Sequence, residues 1–294
     1  QRTGNTREFQ GNIRVGASET ALTVEGPLFK GPAENSKTSF IASVRRSYVK
    51  FLFQLLELPI LPDYWDYQYK LTHKPDDYNE FTLIGLGSID DFQVNDLEEF
   101  DPEQQATQDQ VPIIKQRTNT IGATWKKRFR DNSGFMQTSL SNNVLLNNFS
   151  KFADNVNETG LYFKNDSREQ DTKLRYTLTR FAGRWTASIG TDVQLSNYRN
   201  NTVSIVNDFR YSTELDFIRY GLFAQASRKF AADRLGFSLG IRTDGNTFTS
   251  TGEALGKTVS PRLSLSYQLD QRGKWTANAS VGRYFKVPSY TILG

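Results

Sequence analysis

The stretch Trp185-Thr186-Ala187-Ser188-Ile189-Gly190-Thr191-Asp192-Val193-Gln194-Leu195-Ser196 decides the fold. Ala187, Ile189, Thr191, Val193 and Leu195 fall on the parity of Trp185, and Thr186, Ser188, Gly190, Asp192, Gln194 and Ser196 on the other. A period of two is that of a strand with one apolar and one polar face. The strand opens on a tryptophan just after the tight Phe181-Ala182-Gly183-Arg184. The arrangement recurs. Trp275 follows Asp270-Gln271-Arg272-Gly273-Lys274 and leads Ala277, Ala279 and Val281. Trp125 closes a strand carrying Ile121 and Ala123, before Lys126-Lys127-Arg128 and the tight Asp131-Asn132-Ser133-Gly134. Each indole thus sits on an apolar parity beside a short polar turn. Indole favours a boundary where its ring meets hydrocarbon and its N–H meets water. Trp125, Trp185 and Trp275 are therefore expected at one height on an outer wall, as the membrane girdle of a transmembrane antiparallel β-barrel.

Composition agrees. A chain of 294 residues is large for one soluble core and ordinary for a barrel. Cysteine is absent and His73 is the single histidine, which excludes disulfides, thiolate metal sites and multi-histidine sites. Mean hydropathy is negative, as expected where only every second residue faces lipid. The net charge of +4 is too small to imply nucleic acid. The best apolar run, Phe51 to Leu61, is interrupted by Gln54, Glu57 and Pro59, short of the roughly 20 residues a helix needs to span a bilayer. Gln1-Arg2-Thr3-Gly4 precedes no apolar signal segment, so either a signal has been removed or the chain begins partway through a larger protein.

Working outward, thirteen strands are expected near 8–16, 19–26, 38–48, 64–73, 79–92, 116–129, 134–148, 169–181, 184–200, 212–230, 234–248, 258–269 and 273–286. Short connections (73–79, 130–134, 182–184, 231–234, 270–273) alternate with long ones (49–63, 93–115, 149–168, 201–211, 249–257). Short periplasmic turns below and long extracellular loops above are the asymmetry of an outer-membrane barrel. The upper ends of 184–200 and 212–230 are expected to project beyond the membrane. Arg45, Lys173, Arg175, Arg242 and Arg262 fall on the polar, lumen-facing parity, while Arg228 and Lys127 fall on the lipid parity beside short turns, where they can snorkel.

Here the residues reach a family. Val259-Ser260-Pro261-Arg262-Leu263-Ser264-Leu265-Ser266-Tyr267 and Gly282-Arg283-Tyr284-Phe285-Lys286-Val287-Pro288-Ser289-Tyr290 resemble the barrel of TonB-dependent outer-membrane receptors. So do Gly221-Leu222-Phe223-Ala224-Gln225, Leu239-Gly240-Ile241-Arg242-Thr243-Asp244, Phe40-Ile41-Ala42-Ser43-Val44-Arg45-Arg46-Ser47-Tyr48 and Pro62-Asp63-Tyr64-Trp65-Asp66. Each motif is loose; their order over nearly the whole chain, in the form of Bacteroidetes-type receptors, carries the resemblance. It implies a plug domain ahead of a barrel of about 22 strands. Residues 1–294 are then part of one barrel domain, with the plug and the C-terminal strands lying outside it. It also implies a multi-pass location in the Gram-negative outer membrane, energy from TonB with ExbB/ExbD, import of a bulky nutrient (siderophore, cobalamin, oligosaccharide or peptide), and, as a further partner, a surface lipoprotein. The lumen-facing cations could line a path for anions; the resemblance favours contact with the plug.

Other features have simpler readings. The segment 88–112 holds Asp90, Asp91, Asp96, Glu98, Glu99, Asp101, Glu103 and Asp109 without a basic residue. Its spacing matches no calcium loop, and a solvated extracellular loop is expected. Phe51-Leu52-Phe53-Gln54-Leu55-Leu56-Glu57-Leu58 could meet a ligand or a lid-like partner; packing against neighbouring loops is the simpler expectation. Ser47-Tyr48-Val49-Lys50 matches an acyl-transfer motif without its companions; the sequons at Asn148, Asn157, Asn165, Asn200 and Asn278 could suggest a glycosylated secreted protein, but Asn278, mid-strand on the polar parity, argues for Asn/Thr/Ser-rich composition instead. No cofactor or catalytic set is indicated. A barrel enzyme therefore ranks below two alternatives: an importer, or a barrel serving structure, secretion or assembly without uptake.

Overall fold

A computed structural model describes residues 2–29, 36–96, 102, 108, 110–249, 255–270, 274–285 and 289–290. The strands are β1 (Gln10–Val15), β2 (Glu19–Pro27), β3 (Thr38–Ser47), β4 (Ile60–His73), β5 (Asn79–Val94), β6 (Ile113–Arg128) and β7 (Gly134–Asp154). They continue with β8 (Thr159–Ala182), β9 (Trp185–Ser204), β10 (Phe209–Phe230), β11 (Leu235–Asn246), β12 (Ser260–Gln268) and β13 (Thr276–Gly282). A short helix, α1 (Val49–Leu55), lies between β3 and β4. All thirteen strands form one sheet in sequence order, each antiparallel to its neighbours in the chain. Among the described residues β1 and β13 are not paired with each other, so the sheet is open.

The strand count agrees with the sequence reading; several boundaries do not. The spans 149–168 and 201–211, expected to be loops, are mostly strand, closed by turns at 155–158 and 205–208. Above a bilayer both faces of a strand meet water, so the period-two signal fades while the backbone ladder continues. Polar cross-strand bonds sustain it: Asn148 donates to Asp166, and Asn165 donates to Asn200 Oδ1 at 2.6 Å and Thr202 Oγ1 at 2.7 Å. The 24 residues of β8, rising about 3.4 Å each at a tilt of about 45°, climb roughly 58 Å, about twice a bilayer's hydrocarbon core. Loop length therefore does not separate the two ends; extension of the strands does. The rule also fails at the start of the chain, where the upper connection 16–18 is shorter than the lower one, 28–37. Likewise β4 begins at Ile60 and β5 continues to Val94, inside expected loops.

The turns follow from Asx chemistry. Asp131 Oδ1 accepts from the Ser133 N–H at 3.0 Å, Asp76 Oδ1 from those of Tyr78 and Asn79 at 2.8 and 2.7 Å, and Asp154 Oδ1 from those of Val156 and Asn157 at 3.0 Å. These bonds draw all three carboxyls below the usual aspartate range, led by Ser133 at Asp131 and by the Asn79 and Asn157 side chains at Asp76 and Asp154.

The sheet has no ordinary core. Among the described residues the buried hydrophobics are Leu61, Val94, Ile113, Tyr198 and Phe217, whereas Ile189, Leu195, Leu222 and Leu239 are 50% or more exposed. Those four lie on one face: Ile189 opposes Ala224, Leu195 opposes Ile218, and Ala224 opposes Ile241. Four glycines are covered by rings from the adjacent strand. Tyr69 lies over Gly85, Tyr67 over Gly87 and Tyr220 over Gly245 on the apolar face, and Phe223 lies over Gly190 on the polar face. A Cβ at Gly190 would come within 2.5 Å of Phe223 Cζ, so each ring occupies the space a side chain would need.

Candidate lumen wall and membrane belt

The polar parity of β8 to β11 builds a charge cluster. Arg242 Nη1 donates to Asp192 Oδ1 at 3.0 Å and its Nε to Asp244 Oδ2 at 2.9 Å; Lys173 Nζ stands 3.9 Å from Asp192. Gly221, opposite both Asp192 and Asp244, makes the space: a Cβ there would lie 2.6 Å from Arg242 Nη2. Higher on the same face, Tyr290 OH donates to Asp171 Oδ1 at 2.7 Å and accepts from Arg219 at 2.9 Å. Its ring stacks on Tyr198 at 5.4 Å and meets Phe217 at 6.0 Å. Arg45 Nε donates to Asp66 Oδ2 at 2.6 Å and Nη1 to Glu19 Oε2 at 3.1 Å.

The five cations of the polar face are thus not alike. Arg45, Lys173 and Arg242 are neutralised by carboxylates of the sheet itself, while Arg175 lies over Phe223 at 5.0 Å and Arg262 over Tyr284 at 4.6 Å. The carboxylate partners Glu19, Asp66, Asp192 and Asp244 were missed by reading cations alone. Their signal was shared parity, which becomes informative once the strand register is known.

On the apolar face the three tryptophans stand at the short-turn ends. Trp125 stacks on Phe81 with planes 3° apart, and its indole N–H donates to Asn79 Oδ1 at 3.1 Å. Trp185 opposes Ala182 and Arg228, whose guanidinium lies 5.4 Å from its ring centre. Trp275, across the hairpin from Leu269, is 71% exposed. The fourth, Trp65, sits on the same face toward the other end, under Arg46 at 4.7 Å.

Of the acidic stretch, Asp90, Asp91 and Asp96 fall among the described residues, and the first two are in a strand rather than a loop. Asp90 and Asp91 are on β5, and as consecutive strand residues they point to opposite faces; Asp90 accepts from Ser88 Oγ at 2.7 Å. Asp96 follows the strand and is exposed, and Glu98, Glu99, Asp101, Glu103 and Asp109 lie outside the described residues. No group of three or more acidic or histidine side chains placed to hold a metal occurs among the described residues. α1 corrects another expectation: Phe51, Leu55 and Leu56 are exposed at 64%, 70% and 67% rather than packed against loops. Ser47 is buried and accepts from the Val49 N–H, and Lys50 donates to Gln93, so the two make no acyl-transfer pair. No helix among the described residues is long and apolar enough to cross a membrane; crossing falls to the strands.

This wall has known counterparts. The chain resembles the copper transporter OprC over 99% of its length and 47% of that protein's, with a TM-score of 0.65 at 12% identity. It resembles the siderophore receptor PirA from Pseudomonas aeruginosa over 98% and 42% (TM-score 0.60, 14% identity), and the alcaligin outer-membrane receptor FauA from Bordetella pertussis over 94% and 43% (TM-score 0.62, 11% identity). The chain spans less than half the length of these proteins. Comparison with curated protein sequences gives no match. Residues 56–294 match the family described as TonB dependent receptor-like, beta-barrel. The protein belongs to the TonB-dependent receptor family, as part of its outer-membrane β-barrel.

Proposed function

We propose that this sheet is part of the wall of an active importer of a bulky nutrient (siderophore, cobalamin, oligosaccharide or peptide) across the outer membrane. The observation that carries the reading is the division of one continuous sheet into a lipid face of exposed aliphatics and an inner face of ordered charge, within a family of receptors. In this reading further strands complete a barrel of the 22-stranded, Bacteroidetes type, and a plug of the same parent protein fills it. Arg175 and Arg262, which have aromatic rather than carboxylate partners, are the cations best placed to meet the plug. TonB with ExbB/ExbD drives plug rearrangement, and the exposed apolar α1 favours a surface lipoprotein as lid. The chain's own residues position and gate; no catalytic group is assigned.

The test is uptake. Cells lacking the gene, supplied in turn with single labelled nutrients of the four classes, should lose accumulation of one, and the intact gene but not one impaired in TonB coupling should restore it. Unchanged uptake of every class, with altered secretion or envelope assembly, would favour the structural alternative.

A further inference from the structure

The outward parity of the central strands changes character at a definite level. On β9 it reads Ala187, Ile189, Thr191, Val193 and Leu195, then Asn197 and Arg199. On β8, read upward, it runs Leu178, Tyr176 and Leu174, then Thr172, Gln170 and Arg168. On β6 it runs Trp125, Ala123 and Ile121, then Asn119 and Arg117. The three arginines share one row of the sheet: Arg117 opposes Leu146, Leu146 opposes Arg168, and Arg168 opposes Arg199.

Two cations directly opposite on adjacent strands repel. Arg199 is offset by Glu214 at 2.6 Å. Arg168 has only the Gln170 amide at 2.6 Å, and neither it nor Arg117 has a carboxylate partner among the described residues. The row lines a cavity of about 920 Å³ on the outer wall, to which Lys115 and Lys164 also contribute, each near one carboxylate (Glu158 and Asp166). Five cations face three carboxylates there. Leu146, 43% exposed, stands between Arg117 and Arg168.

We propose that this cavity binds the phosphorylated headgroup of an outer-leaflet glycolipid, with Arg117, Arg168 and Arg199 on its phosphates and its acyl chains along the apolar wall below. Guanidinium groups are suited to phosphate oxygens through paired N–H donors. The surplus of positive charge supplies the sign, the aliphatic rows directly beneath supply the lipid, and the volume suits a phosphorylated sugar better than a bare phosphate. The proposal rests on outer-membrane placement and not on the transport reading, which can fail independently.

The experiment uses the intact receptor purified from its membrane in detergent and titrated with diphosphoryl lipid A, bound lipid being read by native mass spectrometry. Substituting R117Q/R168Q/R199Q together should weaken binding by about tenfold or more, and K127Q/R228Q near the lower turns by less than about twofold. Occupancy should persist in 10 mM inorganic phosphate. If the triple variant does not assemble, R168Q alone, which relieves the like-charge pair, should weaken binding about threefold. Undiminished binding in the arginine variants, an equal loss in the lower variant, or displacement by phosphate (which would make it a free-anion site) would overturn the proposal.

Discussion

The lower and upper outer walls of β8, β9 and β10 share backbone, ladder and parity, yet one is aliphatic and the other is amide and charge. Nothing in the hydrogen bonding changes where Leu195 gives way to Asn197 or Ile218 to Asp216. The difference teaches that the apolar period reports the solvent beside a strand, not the strand itself. Where hydrocarbon lies on one side the sequence must alternate; where water lies on both it need not.

The comparison is most easily broken with one charge placed at two heights. Leu222→Arg, on the aliphatic level of β10, should destabilise the receptor by about 2–4 kcal/mol, and Ser212→Arg, higher on the same parity, by less than about 0.5 kcal/mol. Urea midpoints for the folded receptor check both; equal costs would mean that the two levels meet the same medium. On the inner face, Asp192→Ala leaves Arg242 and Lys173 short of a partner and should cost about 1–3 kcal/mol. Adding Arg242→Met should recover part of the loss in the same assay, and no recovery would show that Asp192 acts elsewhere.

A smaller effect sharpens the lower boundary. Trp125→Phe keeps the stack on Phe81 but deletes the hydrogen bond to Asn79, at about 0.5–1.5 kcal/mol. The Asn79→Ala background should abolish that increment. Smallest is the acid response of the turns. The Asp131 and Asp76 carboxyls sit below their ordinary range, so what they contribute is present above the unfolded pKa and is lost as pH falls through the lowered folded one. Protection of the Ser133 and Asn79 amides against hydrogen exchange should persist through the ordinary aspartate range and fail only below it. Asp131→Asn should remove that pH dependence at Ser133 alone.

Much of this was readable beforehand because the bilayer writes period two into Trp185–Leu195 and sets tryptophan beside Gly183 and Gly134. The thirteen strands and their order followed from that pattern. The upper ends of β7 to β10 did not, since Asn165-Asp166-Ser167 and Asn201-Thr202 look like loop residues until a ladder bonds them across strands. The pairing of Arg242 with Asp192 was also hidden: the two come together only through the β9–β10–β11 register. Asp90 and Asp91 misled for the opposite reason, because adjacency in sequence means opposite faces on a strand.

The rings lying over glycines bear on how the wall finds its alignment. A sheet whose faces alternate is indifferent to a slip of two residues, since every side chain stays on its proper side; only a slip of one is penalised. Something must break that degeneracy during insertion. Tyr67 and Tyr69 face Gly87 and Gly85, so a two-residue slip of β4 along β5 would drive at least one ring against the side chain of Leu83 or Ile89. Phe223 over Gly190 and Tyr220 over Gly245 do the same on the two sides of β10. They work as a key works in a lock, rejecting neighbouring positions that polarity alone would admit.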